Sequence, residues 1–104
     1  MYQIKVLGLA AHAGLEPEKG VNTTTEIAHA ILALSALESA EHGTTVVPTL
    51  LHSGNTTNTV PDVAVLDIDA RSFSQAELER VDKAIKNSTA VNPKARLEST
   101  GGLN

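Results

Sequence analysis

Apolar and polar residues alternate from the start of the chain. Tyr2, Ile4 and Val6 fall on one side, Gln3, Lys5 and Leu7 on the other, the two-residue period of a half-buried strand. The pattern predicts a first strand over residues 2–11. A bend rich in glycine and proline follows (Gly8, Gly14, Pro17, Gly20), its glycines expected at backbone angles other residues avoid. The period then changes. Ile27, Ile31 and Leu34 recur at i, i+4 and i+7, and Ala30 and Leu37 widen the stripe, which predicts a helix packed on a core. Thr23 and Glu26 have capping-box spacing at its start. Gly43 is the expected stop after an end near Glu41. Ala28, Leu32, Ser35, Ala36 and Ser39 form a second strip of small or apolar residues, which favours a second packing surface over a plain solvent face.

Strands are predicted over residues 44–52 and 63–71, joined by a polar loop. Pro48 lies inside the first of these and has no amide to donate, so that strand should lie on an edge or contain a bulge. The other alternates clearly: Ala64, Leu66, Ile68 and Ala70 face the core, and Asp67, Asp69 and Arg71 face water. A second helix starts at Ser74, with Glu77 completing another capping box and Leu78, Val81 and Ile85 as its stripe. A short strand over residues 95–98 precedes a glycine-containing tail, 99–104, read as an exit. The order strand, helix, strand, strand, helix, strand predicts an α+β, ferredoxin-like two-layer sandwich: a four-stranded antiparallel sheet with both helices on one face.

Composition narrows the functions open to such a domain. The 104 residues suffice for one domain. Only Tyr2 and Phe73 are aromatic, so the core is aliphatic and there is no platform for stacking bases or sugars. Net charge is −4, from 8 basic and 12 acidic residues, with the basic ones scattered. That argues against nucleic acid and against a membrane surface as partners. The absence of cysteine excludes thiolate sites and fits a reducing compartment such as the cytoplasm.

Four histidines are the main candidates for chemistry. His29 follows Glu26 at i+3, but a carboxylate–histidine metal site needs further ligands. His42, placed in the last turn of the first helix, is explained by the helix dipole. His52 has no evident partner. His12 differs, because it stands where strand meets bend, among the small residues Ala11, Ala13 and Gly14. The pairs Asp67/Asp69 and Glu16/Glu18 read as solvated faces. No nucleophile elbow, phosphate loop or dinucleotide glycine pattern is present. No complete active site can be assembled from these residues.

The residues do resemble a known family. Gly8-x-x-x-His12-Ala13-Gly14-x-x-Pro17-Glu18-x-Gly20-x-Asn22, then Gly54-Asn55-x-x-Asn58-x-Val60-Pro61 and Asp69-x-Arg71, is similar to the dimerisation, or lid, domain of the two-zinc metallopeptidases. That family includes glutamate carboxypeptidase, aminoacylase, succinyl-diaminopimelate desuccinylase and acetylornithine deacetylase, and the loop most resembles the glutamate carboxypeptidase branch. Ser53 departs from the pattern, standing where many members have glycine. The resemblance implies that residues 1–104 are one domain of a larger zinc-dependent amide or peptide hydrolase and are inactive alone. Two zinc ions would belong to a separate catalytic domain of the parent chain, with none bound here. The domain would form a homodimer through its first helix and edge strand. It would supply in trans an oxyanion-stabilising His12 and the substrate-binding Asn58 and Arg71. Two other functions share the predicted topology. An acylphosphatase-like enzyme needs an arginine and a phosphate cradle after the first strand, where this chain has His12, Glu16 and Glu18. A small-molecule-binding or association module is not excluded by fold.

Overall fold

A computed structural model describes residues 1–103. Six main elements follow one another: β1 (Tyr2–Leu7), α1 (Thr23–Ser35), β2 (Thr45–Ser53), β3 (Val63–Arg71), α2 (Gln75–Lys86) and β4 (Arg96–Gly101). The strands form one antiparallel sheet in the order β2-β3-β1-β4, the ferredoxin-like arrangement. One face of the sheet carries both helices. Tyr2, Ile4, Val6, Ala64, Leu66 and Ile68 meet Ile27, Ala30 and Leu34 of α1 and Val81 and Ile85 of α2 there. The Tyr2 hydroxyl, 2.5 Å from Asp82 Oδ1, ties β1 to α2.

β3 has the bounds its alternation predicts. β2 is an edge strand, and its pairing slips between Pro48 and Leu50. Thr49 is the extra residue, and its hydroxyl donates to the Asp67 carbonyl at 3.2 Å. The missing amide of Pro48 is thus absorbed at a bulge on the sheet's margin.

Several boundaries differ from the sequence expectation. β1 stops at Leu7 rather than residue 11: the Gly8 amide still bonds the Asp62 carbonyl at 2.8 Å, but Leu9 then leaves β3 and exchanges backbone bonds with Val21, at 3.1 and 2.8 Å. A Cβ on Gly8 would lie 2.1 Å from the Val21 carbonyl oxygen, so glycine is required there for close approach. Positive φ occurs at Gly43, Gly54 and Gly101 and at none of the glycines in the bend. β4 runs to Gly101, since Ser99, Thr100 and Gly101 pair with Ile4, Gln3 and Tyr2 along an edge of β1. The predicted exit is therefore sheet as far as Gly101, and Asn104 lies outside the described residues.

α1 ends at Ser35, not near Glu41. Ser39 and Thr44 exchange two backbone hydrogen bonds, at 2.8 and 3.1 Å, and Arg80 Nη2 donates to the Leu37 carbonyl at 2.6 Å. These bonds claim groups a longer helix would need. Gly43, at φ +65°, turns that loop and does not cap the helix. Ser39 and His42 consequently lie off the helix, and Ala28 and Leu32, with Ala36 at the C-cap, remain as its exposed strip.

The capping box at Thr23 does not form. Asn22 is the N-cap, accepting from the Thr24 and Thr25 amides at 2.9 and 3.2 Å. Thr23 is fully buried and its hydroxyl donates to the Pro61 carbonyl. Glu26, 5% exposed, accepts from the Val91 and Asn92 amides, both at 2.8 Å. At α2 only half of the box forms: Ser74 accepts from the Glu77 amide, while the Glu77 side chain turns elsewhere.

Glu26 thus anchors the α2–β4 connection to α1 through two charge-assisted bonds. Glu26→Ala should lower stability by about 3 kcal/mol, since such bonds contribute roughly 1.5–3 kcal/mol each and the amides lose their acceptor. The exposed Glu79→Ala control should change it by less than about 0.5 kcal/mol. Urea denaturation of the two variants measures the difference, and equal effects would show that the clamp adds nothing.

Candidate functional site

His12 lies on an exposed bend that is braced by the loop between β2 and β3. The Val60 amide donates to the Ala11 carbonyl at 2.8 Å, and the Ala13 amide to the Asn58 carbonyl at 2.9 Å, with His12 paired to Thr59 between them. This short ladder sets His12 opposite Thr59 and Asn58 opposite Ala13, one ladder position apart, although they are far apart in sequence. The Asn58 side chain is exposed and makes no hydrogen bond among the described residues, so it does not cap the turn before Pro61.

The histidine ring is held by main chain. Nδ1 accepts from the amides of Gly14 and Leu15, each at 3.1 Å. A neutral imidazole that accepts at Nδ1 carries its proton on Nε2. His12 therefore presents an N–H donor on its free side, and that atom has no partner among the described residues. A Cβ on Gly14 would sit 3.5 Å from the ring, an ordinary contact. At this position it is the amide that matters, not the lack of a side chain.

Arg71 lies elsewhere. It ends β3, whereas the His12 bend and the Asn58 loop lie beyond the start of that strand. Eight residue steps along β3 span roughly 26 Å, and the domain is elongated, 49 × 22 × 21 Å. Arg71 is exposed, and its Nε donates to both oxygens of Asp69, at 2.9 and 3.3 Å. Engagement through Nε leaves its terminal amino groups free for a second carboxylate. A cavity of about 1090 Å³ opens here, lined by Tyr2, Asp69, Arg71, Phe73, Leu78 and Leu103 among others. Phe73 is 98% exposed and packs over Gly43, where a Cβ would come within 2.5 Å of its ring.

Behind this end, Glu77 ties α2 to the loop between α1 and β2. It accepts from Thr44 Oγ1 at 2.8 Å and from Arg80 Nε at 2.7 Å, and His42 Nδ1 approaches to 3.9 Å. The guanidinium of Arg80, followed by the Thr44 hydroxyl, holds the Glu77 carboxyl down to about 2 from an ordinary 4.5. His42 also shares a hydrogen bond with Ser39 Oγ at 3.0 Å. The helix dipole is not its explanation.

The remaining candidates do not converge. His29 and His52 are exposed on separate elements, and Glu26 is committed to backbone amides. Among the described residues no group of three or more His, Asp or Glu side chains could hold a metal ion.

Comparison with known proteins gives a consistent picture. The family model described as a peptidase dimerisation domain matches residues 1–94. The chain is similar to carboxypeptidase G2 of Pseudomonas sp. (strain RS-16), 32% identical over 84 residues that make up 81% of this chain and 20% of that protein. It is also similar to a p-aminobenzoyl-glutamate hydrolase polypeptide of Escherichia coli (strain K12), 34% identical over 89 residues, with 81% and 20% covered. The chain thus spans about a fifth of the length of these relatives. Among solved structures, an aminobenzoyl-glutamate utilization protein from Klebsiella pneumoniae superposes with a TM-score of 0.79 at 30% identity, over 94% of this chain and 26% of that one. A tripeptidase from Staphylococcus aureus shares the fold with a TM-score of 0.71 at 23% identity, over 99% of this chain and 30% of that one.

The Glu77 cluster should be visible in acid. A carboxyl with a depressed folded-state pKa contributes stability that is fully present above its unfolded value and is lost as pH falls through the folded one. The stability gap between the wild type and Glu77→Gln should therefore be constant above pH 4.5 and should close between pH 4.5 and about 2. Thermal denaturation of both proteins across that window tests this, and a gap independent of pH would refute it.

Proposed function

The chain belongs to the peptidase dimerisation domain family, and from that premise we propose that it pairs the subunits of a larger metal-dependent amide or peptide hydrolase and completes their active sites. The observation that carries this reading is the fork of two amides on His12 Nδ1. It prepares an Nε2–H donor at an exposed tip, with nothing in the described chain to receive the bond.

In the proposed role, His12 Nε2–H donates to the oxyanion that forms when water attacks a scissile amide carbonyl. Such a donor acts mainly in the transition state, because the charge appears only there, and removing one costs roughly 3 kcal/mol. Asn58, beside it on the ladder, contacts the same substrate. Arg71 takes the substrate carboxylate through its terminal amino groups. The proposed substrate is accordingly an amide bearing a carboxylate, a class consistent with the p-aminobenzoyl-glutamate in the name of one relative. The two zinc ions implied by the family resemblance would belong to the attached catalytic domain, where a metal polarises the carbonyl and activates water.

The spacing of these groups decides how the copies share the work. His12 with Asn58 and Arg71 stand roughly 26 Å apart, so one copy cannot bring all three to one small substrate. Tyr2 pairs with both Ile68 and Gly101, so any chain continuing on either side leaves from the Arg71 end. Arg71 then serves the active site of its own subunit, in place of the trans role expected for it, and His12 and Asn58 serve the partner's. The exposed Phe73 is placed to be covered by the attached domain. A second copy of this chain would pack on the Ala28–Leu32–Ala36 strip and on the outer margin of β2, where Val47, Leu50 and Leu51 are exposed.

Two measurements test the proposal. In the full-length enzyme, His12→Ala should cut kcat by about a hundredfold or more while leaving the melting temperature unchanged, and equal losses of both would make His12 structural. In sedimentation, the 104-residue chain should dimerise with rising concentration, and Leu51→Lys should leave it monomeric and folded. An unchanged dimer in Leu51→Lys would move the interface elsewhere.

A further inference from the structure

The loop that carries Asn58 has little of its own to hold it. Residues 55–59 are all exposed, and the loop's internal side-chain bond joins Thr56 to Thr59 at 2.9 Å. Val60 is its first buried side chain, 6% exposed. Beyond its ladder to the His12 bend, the loop is held at its two ends, and both ends are fastened to consecutive residues of one helix turn. At the far end, the Pro61 carbonyl accepts from the amide and the hydroxyl of Thr23, each at 3.1 Å. At the near end, Ser53 Oγ and Thr24 Oγ1 share a hydrogen bond of 2.6 Å. Gly54 follows at φ +81°, so the chain bends sharply as soon as it leaves that bond.

We propose that the Thr24–Ser53 hydroxyl pair is a latch that makes both residues positioning residues for Asn58 and, through the ladder, for His12. Without that bond, Ser53 would keep its pairing with Ala64 but lose its tie to α1, and the loop between that pair and Pro61 would shift against the helix, drawing the Asn58 carbonyl away from the Ala13 amide and loosening the bend that holds the histidine ring. The same helix bears the exposed strip proposed to meet a second copy. Through Thr23 and Thr24, the placement of α1 against that copy and the placement of the site residues become one rigid relationship. The latch rests on the proposed function only for its purpose, because its geometry belongs to this chain alone.

Hydrogen exchange in the ¹⁵N-labelled chain tests it. The amides of Ala13 and Val60 report on the ladder, and that of Ile4 reports on the core. Thr24→Val and Ser53→Ala should each speed exchange at Ala13 and Val60 by about tenfold relative to Ile4, the size of one lost hydrogen bond. The double variant should add nothing further, because both changes delete the same bond. Thr24→Ser, which keeps the hydroxyl, should behave as the wild type. The latch is overturned if exchange at Ala13 and Val60 rises only in step with Ile4, stays unchanged, or rises additively in the double variant. These rates do not depend on catalysis, so an inactive parent enzyme would sink the proposed function and leave this result standing.

Discussion

The first turn of α1 is where the fold and the site are joined. Helix N-termini carry four amides without intrahelical partners. Here the Asn22 side chain takes those of Thr24 and Thr25 and the Pro61 carbonyl takes that of Thr23, which frees the side chains of the next residues for other segments. Thr23 takes the end of the Asn58 loop, Thr24 takes its beginning, and Glu26 takes the connection between α2 and β4. One helix turn therefore organises distant parts of the chain. Burial makes this arrangement stiff, since Thr23 and Glu26 are almost wholly removed from water and their polar atoms have no other source of hydrogen bonds.

Local pattern predicted the architecture where one constraint dominated. β3 was readable to the residue because its two faces meet core and water in strict alternation. Pro48 identified the edge strand because a missing amide is tolerated only there. Reading failed where a backbone group had a distant competitor. Leu37 kept the helical period going past Ser35, but nothing nearby in sequence revealed that Arg80 would take its carbonyl or that Ser39 would pair with Thr44. Thr23 and Glu26 have the spacing of a capping box, yet both side chains are claimed across the fold. At α2 the same spacing half succeeds, since Glu77 is drawn off by Thr44 and Arg80.

The candidate site divides in the same way. The position of His12 in a bend marked it, and the family resemblance supplied its proposed role. The amide fork that sets its tautomer depends on the path of the bend and had no signature beyond small neighbours. Gly14 was the nearest signal, and it pointed to conformational freedom when the structure uses its N–H. That Asn58 would lie beside His12, and Arg71 far from both, follows from the pairing of β1 with β3 and could not be read from residue types.

That separation bears on why dimerisation and catalysis would be linked at all. Amide hydrolysis gains from gripping a substrate at two places only if both grips act on one molecule. The length of β3, roughly 26 Å, separates the end that holds Arg71 from the end that holds His12 and Asn58, which is too far for one small substrate, so under the proposed function the two ends would serve different active sites. Under the proposed function, a lone protomer would keep the carboxylate grip and lack the oxyanion donor, so it would bind without turning over efficiently. The pairing of protomers would then contribute to the transition state more than to the ground state. In that arrangement the length of β3 acts as a catalytic dimension, fixed by the same alternation of core and solvent residues that builds the sheet.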